Sequence, residues 1–214
     1  MSVNIKVGTR PSRLAIKQVE EIKSYAHNVN IKIVPIETNG DKDKVTPLSQ
    51  CEKTDFFTRE IEKALLKGNI DAAVHSAKDL EEIPPKELVI AAITNSISPF
   101  ECLVSRGKLT LQKLPQKAVI GTSSQKRKDA ITSFRDDLVT KDIRGNIDER
   151  IRQLDEGFFD AIIIAHAALI RLEYQMRIAE IISPKIIEPH PLQGRLAIQV
   201  RSDRDDMIEL FKHI

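Results

Sequence analysis

The stretch Asp71-Ala72-Ala73-Val74-His75-Ser76-Ala77-Lys78-Asp79 decides the fold of this chain. Its apolar run, Ala72–Val74, is short and flanked by polar residues, which predicts a strand buried on both faces of a sheet. An imidazole, a hydroxyl, an ammonium group and a carboxylate follow within five residues. Because working side chains of an open α/β sheet collect where strands end, this segment predicts both a buried sheet and a candidate site at its edge.

Short apolar runs alternate with stretches of helical period along the rest of the chain, which is typical of an α/β protein. The runs are Ile31–Ile36, Ala72–Val74, Val89–Ile93, Ala118–Ile120 and Ala161–Ile164. We expect the strands that they form to be buried on both faces.

Two helices are clearly marked by their apolar spacing and their ends. The first is predicted over residues 57–68, with Asp55 as its N-terminal cap. The second is predicted from Asn146 to Gly157, with Glu149 completing a capping box.

The two halves of the chain share a plan, because each opens with a strand that runs through Gly-Thr into a helix. These openings are Gly8-Thr9 and Gly121-Thr122. We therefore expect two similar α/β domains facing each other across a ligand-binding cleft. Domain 1 is predicted to hold residues 1–94 and 195–214, and domain 2 residues 95–194.

Composition excludes several classes of protein. The chain has 214 residues, 41% of them apolar, a net charge of only +2 and 4% aromatic residues, which disfavours a nucleic-acid-binding protein. No apolar run is long enough for a signal peptide or a membrane span, so we expect a cytoplasmic protein. Two cysteines without metal-type spacing, and two histidines without partners at metal spacing, His166 and His190, predict no metal site.

Cations and hydroxyls cluster where predicted strands pass into helices. Any single arginine is more often a solvated surface charge, but their joint placement at strand ends in both halves favours a site for a ligand with several carboxylates. These residues are Arg10, Ser12, Ser124, Lys126, Arg127, Arg144 and Arg150.

These motifs, in this order, resemble the porphobilinogen deaminase (hydroxymethylbilane synthase) family along nearly the whole chain. The motifs are Gly8–Ala15, Thr38-Asn39-Gly40-Asp41, Phe57–Leu66, Ala73–Asp79, Gly121–Ser124, Ile143–Asn146 and Gln193-Gly194.

The resemblance implies a transferase of haem biosynthesis whose first two domains resemble type II periplasmic binding proteins. Such an enzyme joins four porphobilinogen units head to tail, releasing ammonia each time, on a dipyrromethane cofactor bound to a cysteine of a third domain. It also implies a cytoplasmic monomer that acts on a small molecule and needs neither nucleic acid nor membrane.

Position by position, the resemblance implies that Asp79 is the catalytic aspartate. It implies cofactor binding by Arg10, Ser12, Lys78, Ser124, Lys126, Arg127, Arg144 and Arg150, and substrate binding by Arg10, Arg144, Arg150, Arg171 and Gln193. Lys126 stands where the family usually has arginine, so we expect less exact placement of the carboxylate that it binds.

Other departures leave alternatives open. The chain stops at Ile214, before the family's third domain and its attachment cysteine, and Cys51 is a possible substitute anchor. Phe100-Glu101-Cys102 replaces the family's Arg-Asp-Ala. The alternatives to an active enzyme are a non-catalytic two-domain binder of an anionic small molecule or tetrapyrrole intermediate, and a decayed paralogue.

Overall fold

The computed structural model describes residues 3–26, 29–43, 54–80 and 84–214, in which strands and helices alternate. The strands are β1 (Val3–Thr9), β2 (Val29–Pro35), β3 (Ala72–Ser76), β4 (Leu88–Ile93), β5 (Glu101–Ser105), β6 (Val119–Gly121), β7 (Val139–Lys141), β8 (Ala161–Ala165), β9 (Glu180–Ile182) and β10 (Leu196–Arg201). The helices are α1 (Arg13–Tyr25), α2 (Asn39–Lys42), α3 (Arg59–Leu66), α4 (Gln125–Phe134), α5 (Ile147–Asp155), α6 (His166–Arg171) and α7 (Asp205–Phe211).

The chain divides into two compact units. Among the described residues, the first contains 3–26, 29–43, 54–80, 84–97 and 195–214, and the second contains 98–194. Each unit has its own five-stranded sheet, and the two sheets are built to the same plan.

The sheet of the first unit has the strand order β2-β1-β3-β10-β4. Strand β1 runs parallel to both β2 and β3, so the carboxyl ends of these three strands meet at one edge. One group of buried residues includes Val19, Ile22 and Phe211, and another, carried partly by α3, includes Ile61 and Leu65. Each such fully buried side chain stabilises the fold by roughly 1.5–3 kcal/mol, which holds the strand ends in place.

The sheet of the second unit has the strand order β7-β6-β8-β5-β9, with β6 parallel to β7 and β8. Its core includes Leu103, Ile120, Ile131 and Ile163, all at most 1% exposed. The carboxyl ends of β6, β7 and β8 therefore also meet at one edge of their sheet, where α4, α5 and α6 begin.

The sequence predicted the strands well and their burial less well. All five apolar runs coincide with strands, except that Ile36 and Ala118 lie just outside theirs, and β3 and β8 are buried as expected. Burial on both faces is wrong for β2 and β4, because these are the edge strands of the first sheet and carry exposed or half-buried residues.

Of the two predicted helices, one is confirmed and the other begins later than predicted. The helix from Asn146 is confirmed, with its capping box to Glu149. The helix over residues 57–68 begins later than predicted, at Arg59, because Thr54–Phe57 forms a separate 3-10 turn. Its N-cap position is Thr58 and not Asp55, so that detail of the prediction is wrong.

Within the residues that the structure describes, no helix combines the length and the apolar character that crossing a membrane requires.

Candidate active site

A cavity of about 80 Å³ lies in the first unit at the carboxyl ends of β1 and β3. Because one water molecule needs much less space than this, the cavity has room for several waters or for one small group of a ligand. Its lining comes from the two strand ends, from α1 and from the start of α3. The lining residues are Thr9, Arg10, Ser12, Leu14, Ala15, Gln18, Phe57, Thr58, Val74, His75, Ser76 and Asp79.

Arg10 lies directly after β1 and is held by two neighbours. Its Nε and Nη2 atoms donate to Oδ1 of Asp41 at 3.0 and 2.5 Å. Its guanidinium carbon lies 4.2 Å from the centroid of the Phe57 ring, which adds a cation–π contact. The guanidinium therefore has a defined orientation at the wall of the cavity.

The Asp41 carboxylate that holds Arg10 is itself held by the turn that contains it. Its Oδ2 accepts hydrogen bonds from the backbone N and the Oγ1 of Thr38, at 3.1 and 2.7 Å. Burial alone would raise the pKa of Asp41, but the hydrogen bonds from Arg10 and Thr38 outweigh burial and hold that pKa below its ordinary value. Asp41 is therefore charged at neutral pH.

Two serines complete the polar wall of the cavity. The Ser12 hydroxyl caps α1 by accepting from the Ala15 backbone N at 3.2 Å. The Ser76 hydroxyl, at the end of β3, accepts a hydrogen bond of 2.9 Å from the side-chain amide of Gln18. Both hydroxyls thus occupy fixed positions from which they can also contact a ligand.

Asp79 lies at the cavity on the 3-10 turn Ala77–Asp79 that comes directly after β3. The turn is anchored at its start, where the Ala77 backbone N donates to the Arg195 carbonyl at 3.0 Å. The Asp79 side chain is exposed, in contrast to the buried strand before it. The geometry therefore offers a solvent-reachable carboxylate on a short, anchored segment.

His75 differs from Arg10 and Asp79, the other titratable residues that line the cavity, because it is deeply buried, with 6% exposure. Burial lowers its pKa to about 4, despite an opposing contribution from Gln199, so the imidazole is neutral at physiological pH. Gln199 is buried beside it and donates to Oε1 of Glu62 at 2.9 Å. Of these two lining residues, Asp79 thus brings a carboxylate to the cavity and His75 brings no charge.

The strand ends of the second unit form a hydroxyl-rich edge. Ser123 links two of its loops, since its hydroxyl donates to the Ile143 carbonyl and accepts from the Ile143 backbone N. Ser124 occupies the N-cap of α4 and Asn146 that of α5. Helix N-termini that meet at one edge favour the binding of anions.

Arg127, one turn into α4, is committed to contacts inside the second unit. Its Nε and Nη2 donate to both carboxylate oxygens of Glu101 at 2.7 to 3.0 Å, and its Nη1 donates to the Ile163 carbonyl at 3.2 Å. The two side chains are only 12% and 6% exposed. This is a buried bidentate ion pair, and Glu101 belongs to the segment Phe100-Glu101-Cys102, in which the sequence departs from the resemblance described above.

Two further predicted binding residues make backbone contacts at their own edge of the sheet. Arg150 Nε donates to the Gly145 carbonyl at 2.9 Å, and Gln153 donates to the carbonyl of Arg144 at 3.0 Å. These bonds shape the loop between β7 and α5 and keep Arg144 and Arg150 beside it.

Arg171 and Gln193 lie in the C-terminal part of the second unit. Arg171 Nη2 donates to the Gly194 carbonyl at 2.9 Å. Gln193 is 1% exposed, and its amide donates to the carbonyls of Pro99 and Phe100 at 3.0 and 3.2 Å. Both side chains therefore brace the segments where the chain enters and leaves this unit.

The remaining basic candidates are more open to solvent. Lys126 forms an exposed ion pair with Glu188 at 3.1 Å, a type of contact that contributes little to stability. Lys78 is half-buried on the same turn as Asp79.

His166 and His190, which the sequence does not favour as metal ligands, each have a local hydrogen-bonding contact, and Cys102 is buried. His166 Nδ1 lies 3.0 Å from the Ser98 hydroxyl, and His190 accepts from the Leu192 backbone N. Burial, together with the neighbouring Glu101 charge, raises the pKa of Cys102 to about 12, so its thiol is not a nucleophile at neutral pH. Cys51 lies outside the described residues. Within the described part of the chain, no group of three or more His, Cys, Asp or Glu side chains is placed to hold a metal ion.

The structure thus brings three predicted residues, Arg10, Ser12 and Asp79, to one cavity. Sequence reasoning missed Asp41 and Phe57 as the partners of Arg10. Both lie in motifs that the sequence displays, but nothing in the order of residues says that these two motifs meet at β1.

Three comparisons with known proteins bear on this arrangement. Residues 5–209 match the profile of a family described as porphobilinogen deaminase, dipyromethane cofactor binding domain. Porphobilinogen deaminase of Chloroherpeton thalassium is 42% identical over 210 residues, covering 96% of this chain and 67% of the relative. The enzyme of that name from Ehrlichia chaffeensis is 41% identical over 214 residues, covering 98% and 72%.

Solved structures show the same architecture at low sequence identity. A probable amino-acid ABC transporter extracellular-binding protein from Bacillus subtilis aligns with a TM-score of 0.55 at 13% identity, covering 100% of this chain and 91% of its own. A lipoprotein of Actinomyces odontolyticus aligns with a TM-score of 0.57 at 16% identity, covering 100% and 90%. These likenesses concern the fold alone, and they confirm the predicted α/β class of binding-protein type.

Proposed function

The chain belongs to the porphobilinogen deaminase family of transferases, and we propose that it performs that family's reaction as a hydroxymethylbilane synthase. In this reaction four porphobilinogen units are joined head to tail, with one ammonia released at each step. The observation that carries the proposal is the cavity that Arg10 and Asp79 share, where a fixed cation and an open carboxylate lie beside a neutral histidine.

The arginines suit the acidic arms of the substrate. Each porphobilinogen carries an acetate and a propionate, so the growing chain accumulates negative charge. Arg10, Arg144 and Arg150 are the guanidinium groups that we assign to these carboxylates, because the planar fork binds carboxylate through paired hydrogen bonds. We assign Arg171 and Gln193 to positioning the segment around Gly194 for the same ligand.

Asp79 suits the positive charge that forms on the substrate. When ammonia leaves the aminomethyl group, the pyrrole becomes a cation, and it is neutralised when a carbon–carbon bond forms and a ring proton is lost. A fixed carboxylate stabilises that cation and the transition state before it. The neutral state of His75 serves the same end, since an imidazolium beside Asp79 would cancel its charge.

The donor set of the second unit fits the family's dipyrromethane cofactor, whose acidic arms need hydroxyl, amide and guanidinium donors. Ser124, Arg144 and Arg150 would hold those arms, with Ser12, Lys78 and Lys126 as further contacts. Arg127 would act by fixing the start of α4 through its pair with Glu101. When bound, the dipyrromethane supplies the terminal pyrrole carbon to which the first porphobilinogen is joined.

Incubation of the purified protein with porphobilinogen, with and without added dipyrromethane, tests the proposal directly. We expect porphobilinogen to be consumed and porphyrin to appear after oxidation of the product. Binding without consumption under both conditions would favour the non-catalytic binder. Neither binding nor consumption would favour a decayed paralogue.

The cellular setting is part of the same proposal. We expect the protein to act in the cytoplasm, as a monomer and without nucleic acid. Fractionation of cells and light scattering of the purified protein test these expectations.

A further inference from the structure

The segment Thr38–Asp41 fixes the Arg10 side chain through several hydrogen bonds. Both the Nε and the Nη2 of Arg10 donate to one oxygen of Asp41, while Thr38 occupies the other oxygen. The Arg10 side chain is 30% exposed and Asp41 only 12%, so the pair lies partly out of water. Asp41 is not among the residues that line the cavity, and it is joined to the cavity wall through its hydrogen bonds with Arg10.

The other side of the Arg10 guanidinium is closed by Phe57, and the position of that ring depends on Gly40. A Cβ atom added at Gly40 would lie 2.1 Å from a carbon of the Phe57 ring, far inside contact distance. The Phe56 ring packs edge-on against Phe57 with centroids 5.3 Å apart. Only the absence of a side chain at position 40 lets the ring lie over Arg10.

These contacts select which edge of Arg10 can face a ligand. Arginine has five N–H donors, and Asp41 takes the Nε donor and one donor of Nη2. The edge formed by Nη1 and the rest of Nη2 still has the spacing that matches a carboxylate. A guanidinium fixed in this way loses little side-chain freedom when it binds.

We propose that Gly40, Asp41 and Phe57 form a clamp that presents the Nη edge of Arg10 to one carboxylate of the substrate pyrrole. Asp41 and Gly40 are then positioning residues that act through Arg10. This inference rests on the proposed function, and it explains how the first unit orients its substrate.

The alternative roles of Asp41 predict different results. If Asp41 only shields the charge of Arg10, its removal strengthens the binding of an anion. If it only stabilises the fold, its removal acts independently of Arg10. If it positions Arg10, its removal weakens binding, and only while Arg10 is present.

A double-mutant cycle measured by calorimetric titration with porphobilinogen separates these roles. We expect Asp41→Asn to weaken binding about tenfold, and Arg10→Ala to weaken it at least as much. In the Arg10→Ala protein, Asp41→Asn should change affinity less than twofold. Asp206→Asn, which opens an ion pair with Arg204 elsewhere in the same unit, is the matched control and should leave affinity unchanged.

A second readout does not depend on the ligand. The Nε–H of Arg10 should give a slowly exchanging NMR signal in the wild-type protein, because it is bonded to Asp41 at 3.0 Å. Both Asp41→Asn and Gly40→Ala should abolish that protection while the backbone amide signals of β1 and β3 persist. Gly40→Ala should also weaken porphobilinogen binding, because the new methyl group displaces Phe57.

Additive effects in the cycle, tighter binding by Asp41→Asn, or a rapidly exchanging Arg10 Nε–H in the wild type would each overturn the clamp alone. A wild-type protein that binds no porphobilinogen would overturn the clamp and the proposed function together.

Discussion

The two units share a strand plan and differ in the residues that come after their central strands. In the first sheet β1 pairs with β3 through Gly8 and Ala73, and in the second β6 pairs with β8 through Gly121 and Ile162. In the shared plan this register makes Asp79 of the first unit equivalent to Ala168 of the second. It likewise matches His75 with Ile164.

The difference teaches that the two units have separate tasks. The polar residues after β3 give the first unit a carboxylate at a cavity, whereas Ala167–Leu169, after β8, are apolar and buried. The second unit instead has an arginine locked to Glu101, and Ser124 and Asn146 cap the helices that begin at its strand ends. This contrast agrees with our proposal that the first unit stabilises the charge that forms during the reaction and that the second unit holds anionic groups.

The largest expected effect is on turnover when Asp79 loses its charge. Asp79→Asn should lower kcat about a thousandfold, equivalent to about 4 kcal/mol, because the transition-state cation loses its counter-charge. The affinity for porphobilinogen, measured by calorimetry, should change much less. Asp136 is an exposed aspartate of the second unit, and Asp136→Asn serves as the control. Comparable losses of kcat in both variants would contradict a special role of the first unit's Asp79.

Next in size is the loss of stability when the ion pair of the second unit is opened. Glu101→Gln leaves the Arg127 guanidinium buried without its full counter-charge, and should lower the free energy of unfolding by about 3 kcal/mol. Urea unfolding measures this. Glu188→Gln, which opens the exposed pair with Lys126, should change stability by less than about 0.5 kcal/mol. Equal effects would show that Arg127 is not a structural arginine.

His75 should make the stability of the first unit depend on pH. The unfolded histidine takes up a proton near pH 6.5, whereas the folded one does so only near its lowered pKa of about 4. Stability should therefore fall by up to about 3 kcal/mol as the pH drops from 6.5 to 4.

A His75→Gln variant isolates this contribution, because glutamine cannot titrate. Its unfolding free energy should fall less over that pH range, while His213→Gln, at an exposed position, should follow the wild type. Parallel curves for the wild type and His75→Gln would contradict the buried, neutral state of His75.

The smallest expected effect concerns Lys126. Lys126→Arg restores a planar fork at the start of α4 and should tighten binding of a polycarboxylate pyrrole about threefold. Calorimetric titration measures it, with Lys113→Arg as an exposed control in the same unit. No gain would indicate that Lys126 does not contact the ligand.

Much of the fold could be predicted because local signals were strong. The apolar runs marked the strands, and the pair of Asn146 and Glu149 marked the start of α5. The start of α3 was missed because Phe56 and Phe57 pack against Gly40, a contact between segments that no local pattern reveals.

The candidate site could be predicted in part for the same reason. Arg10 follows the Gly8-Thr9 opening and Asp79 follows the apolar run Ala72–Val74, so local sequence signals indicated where both residues lie. Their partners could not be predicted, since the bond from Arg10 to Asp41 and that from Arg127 to Glu101 join distant parts of the chain. The burial of Gln193 likewise depends on carbonyls almost a hundred residues away.

The release of ammonia tests the account most directly, because every joining step must free one molecule. Wild-type protein supplied with porphobilinogen and dipyrromethane should release one ammonia per porphobilinogen consumed, and Asp79→Asn should release it about a thousandfold more slowly while still binding the substrate. Equal rates for the two proteins, or substrate bound by the wild type with no ammonia released, would contradict the assignment of the chemistry to Asp79.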